Sequence, residues 1–205
     1  NGGKNEYATE NDWFHNNSVW YDRNTNSITL SGRHRDAVIN INYDTKQLNW
    51  IVGSSSNWPS HMDKYFFKPS NDLEWQWAQH AAMILPDGSL FLFDNGNNRS
   101  KTKENSVPAN ENYSRAVIYK FDTNNMTISQ VWQYGKERGS EFYSPYVSDV
   151  DYLENNHYLI LSGGISYKNG KIQNDAAPLV GADTLKSTIV EILNDEVIFE
   201  IDLPT

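Results

Sequence analysis

Trp77-Ala-Gln-His80-Ala-Ala-Met-Ile-Leu85-Pro-Asp-Gly88-Ser-Leu-Phe-Leu-Phe93-Asp-Asn-Gly96 reads as strand, tight turn, strand. Ala81 to Leu85 is apolar, Pro86-Asp87-Gly88 is turn chemistry, and Ser89 to Phe93 is apolar and aromatic. His80 stands at the mouth of the first strand, and Asp94-Asn95-Gly96 closes the second. No serine or cysteine nucleophile motif accompanies them, so this histidine is the sharpest chemical feature of the stretch. A lone histidine beside a strand is more often structural than functional, and its meaning depends on what surrounds it.

The same alternation runs outward in both directions, with helical periodicity nearly absent. Ser27 to Ser31, Ala37 to Tyr43 and Leu48 to Val52 precede the stretch. Ala116 to Phe121, Ile128 to Trp132, His157 to Leu161, Ser187 to Leu193 and Glu196 to Ile201 follow it. Turn clusters such as Asp22 to Asn26 and Asp122 to Asn125 separate them. These runs fall into three similar units, 12–55, 77–135 and 144–204, each of four strands. Tyr43-Asp-Thr and Phe121-Asp-Thr hold the same place, between a unit's third and fourth strands. Tandem four-stranded units are the signature of a β-propeller. A sandwich would not repeat its turns in this register. A propeller closes with at least about four blades, so three units predict part of a larger disc, the C-terminal part of a longer chain. Polar insertions at 57–74, 97–112 and 167–186 are expected as loops, the second as a mobile excursion.

Composition narrows the partners. The 205 residues carry a formal net charge of -9, and the 17 Lys and Arg residues form no run. That disfavours nucleic acid. Aromatic residues make up 13%, which suits broad half-buried sheets. The chain has no cysteine, which removes disulfides and thiolate metal sites. No apolar run approaches the roughly 20 residues of a membrane helix, and no signal peptide opens the sequence.

The repeat gives His15 and His80 one shared place, the start of a unit's innermost strand. Asn17, two residues beyond His15, is expected on the same strand face, and Arg33 beside the same opening, with Arg99 comparable in the second unit. Two imidazoles, an amide and a guanidinium suit an anion with several oxygens, such as a sulfuryl or phosphoryl group. They suit zinc poorly, because the third unit offers no ligand at that place. Taken singly, Arg33 reads as a salt bridge to Asp36 or to a neighbouring blade, and Asn17 as a turn or cap residue. His34, His61 and His157 are expected to face solvent.

Several of these residues together resemble the bacterial arylsulfate sulfotransferases. They are Gln79-His80, Leu85-Pro-Asp-Gly88, Phe93-Asp-Asn-Gly96 with Arg99, Asp12-Trp-Phe-His-Asn-Asn17 and Ser31-Gly-Arg33. The resemblance implies a six-bladed propeller with a small extra N-terminal β-domain used in dimerisation, exported to the periplasm or cell surface. It implies transfer of a sulfuryl group from an aryl sulfate ester to a phenol, with no cofactor, nucleotide donor or metal. A channel histidine would be sulfated in a ping-pong cycle. His80 matches that nucleophile, and His15, Asn17 and Arg33 match the residues that bind the sulfuryl oxygens. A further family histidine and the family's disulfide have no counterpart here, so the remaining blades of the parent chain are expected to complete the site. Trp13, Phe14, Trp77 and Tyr143 are candidates to hold the aryl ring. Two other readings stand beside this one: a non-catalytic propeller that binds a glycan or protein on its loop rim, and a propeller hydrolase of sulfate or phosphate esters.

Overall fold

A computed structural model of the chain describes residues 6, 9 and 11–204. These build three sheets in chain order, antiparallel throughout except for one short edge strand. The first is β1 (Asn16–Asp22), β2 (Ser27–Gly32), β3 (Ala37–Asn42) and β4 (Leu48–Val52). A two-residue strand β5 (Lys68–Pro69) follows in the linker. The second sheet is β6 (His80–Ile84), β7 (Leu90–Asp94), β8 (Arg115–Asp122) and β9 (Thr127–Tyr134). The third is β10 (Asp149–Glu154), β11 (His157–Lys168), β13 (Thr184–Leu193) and β14 (Glu196–Pro204), with β12 (Lys171–Ile172) paired to β11. Each sheet is an up-and-down meander, the form of a propeller blade, and the three leave the ring open. No helix among the described residues is long and apolar enough to cross a membrane.

The middle blade explains the continuous apolar run of β7. Leu90 and Leu92 pack with Val38, Trp50 and Val52 of the first blade. Phe91 and Phe93, pointing the other way, pack with Val150, Tyr158, Ile160 and Val190 of the third. All four are fully buried. Where no blade follows, apolar side chains stay open: Val19 is 66% exposed and Phe199 47%.

The turns are built alike. Asp22 and Asp122 each accept main-chain N–H groups from inside the turn they open, Asn24 at 2.9 Å and Asn124 at 2.8 Å. Asn42 does the same for Thr45 at 2.9 Å. Asn26, Lys46 and Met126, four residues on, all take positive φ. The match of Tyr43 with Phe121 holds at the bulges, which fall between Asn40 and Ile41 and between Ile118 and Tyr119. The arm beyond the bulge is longer in the second blade, so its turn opens at Asp122 rather than at Lys120, the counterpart of Asn42.

The insertions are more structured than their polarity suggests. β11 and β13 stay paired as far as Tyr167 and Thr184, and a single helical turn, α1 (Ala177–Val180), caps the excursion between them. The 97–112 segment is pinned rather than loose. Lys101 pairs with Asp36 at 3.2 Å, and Arg99 bonds Asn112 and the Tyr113 carbonyl. The 57–74 linker lays Phe66 on Ile51 and adds β5 parallel to the edge of β9.

Candidate active site

The mouths of the inner strands β1 and β6 open onto a cavity of about 550 Å³ whose wall includes His15, Arg33, His34, His80 and Asn97. β6 is bulged directly after its first residue, so His80 faces Phe93 while Met83 faces Phe91. Asn95 lies two residues past Phe93, across the hairpin from His80.

His80 Nδ1 is 2.7 Å from Asn95 Oδ1. The Asn95 amide cannot be reversed, because its Nδ2 donates to the carbonyls of Ser144 and Val147, both at 2.8 Å. Its oxygen therefore accepts, His80 Nδ1 carries the proton, and Nε2 holds the lone pair. Burial pushes the His80 imidazole down to about 4, with Arg33 and His15 adding to the effect and the Asn95 bond opposing it. The ring is neutral at physiological pH. The turn that carries Asn95 is itself fixed. Buried Asp94 takes Arg115 Nε at 2.9 Å, Arg99 at 3.2 Å and the N–H groups of Trp77 and Gly96. Gly96 has φ +70°, and a Cβ there would fall 2.2 Å from the Tyr113 carbonyl, so the turn requires glycine.

Arg33 donates to His34 Nε2 at 3.0 Å, to Asn97 Oδ1 at 3.0 Å and to the Pro145 carbonyl at 3.2 Å. Among the described residues it forms no ion pair; Asp36 is turned to Lys101 and to the Ala78 N–H instead. A largely buried guanidinium held only by neutral acceptors leaves a positive field in the cavity. Burial lowers its pKa, with Asp36 the largest opposing charge.

His34, expected at the surface, is 7% exposed and belongs to the site. Its Nε2 accepts from Arg33, so its Nδ1–H donates to the Asp12 carbonyl at 2.7 Å. Burial holds it below the usual histidine range, and hence neutral. Its ring lies 4.7 Å from that of His15, whose Nδ1 is 2.6 Å from Asp12 Oδ2. Asp12, His15 and His34 stand close enough to share a metal ion. The donor set argues against one, since both His34 nitrogens are already bonded and a guanidinium touches one of them.

The family model for arylsulfotransferases matches residues 2–205. The chain belongs to the arylsulfotransferase family. It is 36% identical over 169 residues to the arylsulfate sulfotransferase AssT of Escherichia coli, covering 74% of this chain and 28% of that protein. Against the AssT of Lelliottia amnigena it is 33% identical over 177 residues, covering 78% of this chain and 29% of that protein. The chain thus spans under a third of the length of these relatives. Among solved structures, hydrazine synthase of Kuenenia stuttgartiensis aligns with a TM-score of 0.34 and 10% identity, over 90% of this chain and 48% of that one, too loosely to argue from.

Within this arylsulfotransferase segment the sequence-based placements fare unevenly. His15, His80 and Arg33 meet at one cavity. His15 and His80 do not share a strand position. Ser31 and Phe93 face equivalent partners, Val38 and Ala116, and across the inner strand they face Ser18 and His80. His80 is thus level with Ser18. His15 lies beyond the end of β1, where its carbonyl takes the Arg33 N–H at 3.1 Å. By the same register the counterpart of Arg33 is Asn95, not Arg99. Asn17 is not on the cavity wall. It sits in the β1 bulge and donates from Nδ2 to the Gln79 carbonyl at 2.7 Å, securing the peptide before His80.

None of the four expected aryl-binding residues is on the cavity wall, and Trp13 is 54% exposed outside it. Tyr143 is fully buried, Phe14 fills the space beside Gly32, Trp13 lies under Arg35, and Trp77 lies beside Lys101. The apolar part of the wall is Tyr146, Val147 and, on α1, Leu179, which is 80% exposed. His157 does not face solvent freely: its Nε2 meets Glu191 at 2.7 Å. His61 is exposed as expected. The sequence assigns no place in the site to Asn95, Asp12, His34 or Asn97. Asn95 had a readable signal, lying on the face of β7 that looks across at His80 once the hairpin register is set.

Proposed function

We propose that the whole protein transfers a sulfuryl group from an aryl sulfate ester to a phenol in a ping-pong cycle, through a sulfated His80. One observation carries the reading. The amide of Asn95 commits His80 to the tautomer whose lone pair is on Nε2, on the wall of a cavity that holds a guanidinium with no carboxylate partner among the described residues. A neutral imidazole is nucleophilic as it stands. Nε2 attacks sulfur, the ester S–O bond breaks, and the phenolate leaves. Arg33 stabilises negative charge on the sulfuryl oxygens, and His15 joins it when its Nε2 carries a proton. A phenol then takes the group, and the S–N electron pair returns to His80.

The names of the relatives support the substrate class. Tyr146, Val147 and Leu179 offer an apolar flank for an aryl ring. Further blades of the same parent chain would close the disc over the faces left open at Val19 and Phe199. Export to the periplasm or cell surface, and a homodimer, belong to the same reading.

The test uses the full-length protein and 4-nitrophenyl sulfate, with and without an added phenol. A stoichiometric burst of nitrophenolate without phenol, continuous release with it, and an SO3 adduct on the peptide carrying His80 are expected. The adduct should vanish in His80→Ala. Continuous release without phenol would identify a hydrolase. Neither release nor adduct would leave a binding propeller.

A further inference from the structure

Transfer to a phenol requires a group to take the phenolic proton, and His80 cannot do so. Its Nδ1–H is held by Asn95, and its Nε2 is bonded to sulfur at that moment. Glu6, Asp175 and Lys103 also line the cavity, but the pair at its mouth is built differently.

Resting on the sulfuryl-transfer reading above, we propose that Asp12 is a positioning residue that makes His15 the proton carrier of the cycle. The Asp12 carboxylate accepts from His15 Nδ1 at 2.6 Å, which leaves the His15 lone pair on Nε2. The hydrogen bond to His15 is the main reason that Asp12 sits below the usual carboxylate range, so it stays charged and stabilises an imidazolium beside it. Asp12 is itself fastened to the sulfuryl-binding group. Its main-chain carbonyl accepts from His34, and His34 accepts from Arg33, so one line of contacts runs Arg33, His34, Asp12, His15. The residue that would hold the sulfuryl oxygens and the residue that would hold the proton are thereby set relative to each other.

The dyad is also placed for exchange. The His15 and Asp12 side chains are 42% and 44% exposed, so the proton has a direct path to solvent. In the second half-reaction the phenolic O–H breaks and its proton goes to His15 Nε2. The phenolic oxygen bonds to sulfur, the S–N bond breaks, and its electron pair returns to His80. On the next turnover His15 returns the proton to the departing phenolate, or loses it to water.

The test again uses the full-length protein. It is loaded with 4-nitrophenyl sulfate, and transfer to phenols of graded acidity is timed in the parent, Asp12→Asn and Asp12→Glu forms. Nitrophenolate is a good leaving group without an acid, so the Asp12→Asn burst should slow by only a few fold. Transfer to weakly acidic alkylphenols should fall by roughly 10² or more, the usual worth of a general base, and transfer to nitrophenols far less. Asp12→Glu should recover part of the loss. An equal loss for all phenols, or none, would overturn the proposal. So would a burst lost along with transfer, because Asp12 would then be needed for the site itself. A parent protein without a burst would instead refute the sulfuryl-transfer reading.

Discussion

His80 Nδ1 lies 2.7 Å from Asn95 Oδ1, and the nitrogen of that same amide is held by two main-chain carbonyls of the next blade. The tautomer of the central histidine is therefore set by the third blade, acting through a residue of the second. Asn95→Ala should cost about 1–3 kcal/mol of stability, because the Ser144 and Val147 carbonyls lose their donor. It should slow the nitrophenolate burst by about 10² or more, since a freed imidazole samples the wrong tautomer. Urea unfolding and burst kinetics on one preparation separate the two effects. A burst at the parent rate would sink the tautomer argument.

The low pKa of His80 gives a stability term with a definite sign. The folded value is about 4 and the unfolded one 6.5. Above about pH 6.5 neither state is protonated at this residue, and its full contribution is present. As pH falls toward 4 the unfolded chain gains a proton that the folded chain refuses, and stability drops by up to about 3 kcal/mol. His80→Gln should flatten this part of the stability profile. NMR titration should find the His80 ring neutral down to about pH 4; a midpoint near 6.5 would contradict the burial argument.

The two-residue period of the strands was legible in the sequence, and so was the blade repeat. Leu90, Phe91, Leu92 and Phe93 announce a strand covered on both faces, and the structure covers it with two blades. What the pattern did not contain is the bulges. A single extra residue in β6 and another in β1 shift the inner strands against their partners, so His80 aligns with Ser18. Burial of His34 was hidden because its cover comes from Asp12 and Arg33, which are polar and carry no periodicity. The paired ends of β11 and β13 look like loop in the sequence because Lys168, Lys186 and Gly170 break the apolar pattern, although main-chain pairing needs no apolar side chain.

Arg33 separates charge from geometry. Its guanidinium spans His34 on one nitrogen and Asn97 with the Pro145 carbonyl on the other. Arg33→Lys keeps the charge but cannot reach both sides. Loss of one such charge-stabilising donor typically costs about 10²–10³ in rate. The expected result is a fall in kcat/KM of that order for aryl sulfates, with a folded protein by circular dichroism. Activity within a few fold of the parent would mean that only the charge matters.

Phe93 has no exposure and packs in the core between the second and third blades. It also faces His80 across the ladder. Phe93→Ala should destabilise by about 3–5 kcal/mol through lost burial and the remaining cavity. Phe93→Leu should cost less and keep the burst. A loss below about 1 kcal/mol for the alanine variant would mean that the two blades do not pack as one core.

Asn17 tests whether the amide binds substrate or holds the chain. Its Nδ2 is committed to the Gln79 carbonyl at 2.7 Å, a carbonyl that also takes the Ser31 hydroxyl at 3.1 Å. Its buried Oδ1 has no partner among the described residues, and an oxygen acceptor repels a sulfuryl oxygen rather than binding it. To grip sulfate directly, the Nδ2 would have to leave Gln79 and release the peptide that aims His80. Asn17→Ala should therefore lower kcat, through a misplaced imidazole, while KM for 4-nitrophenyl sulfate stays within about threefold. A raised KM with kcat unchanged would show that the amide turns to the substrate when substrate is bound.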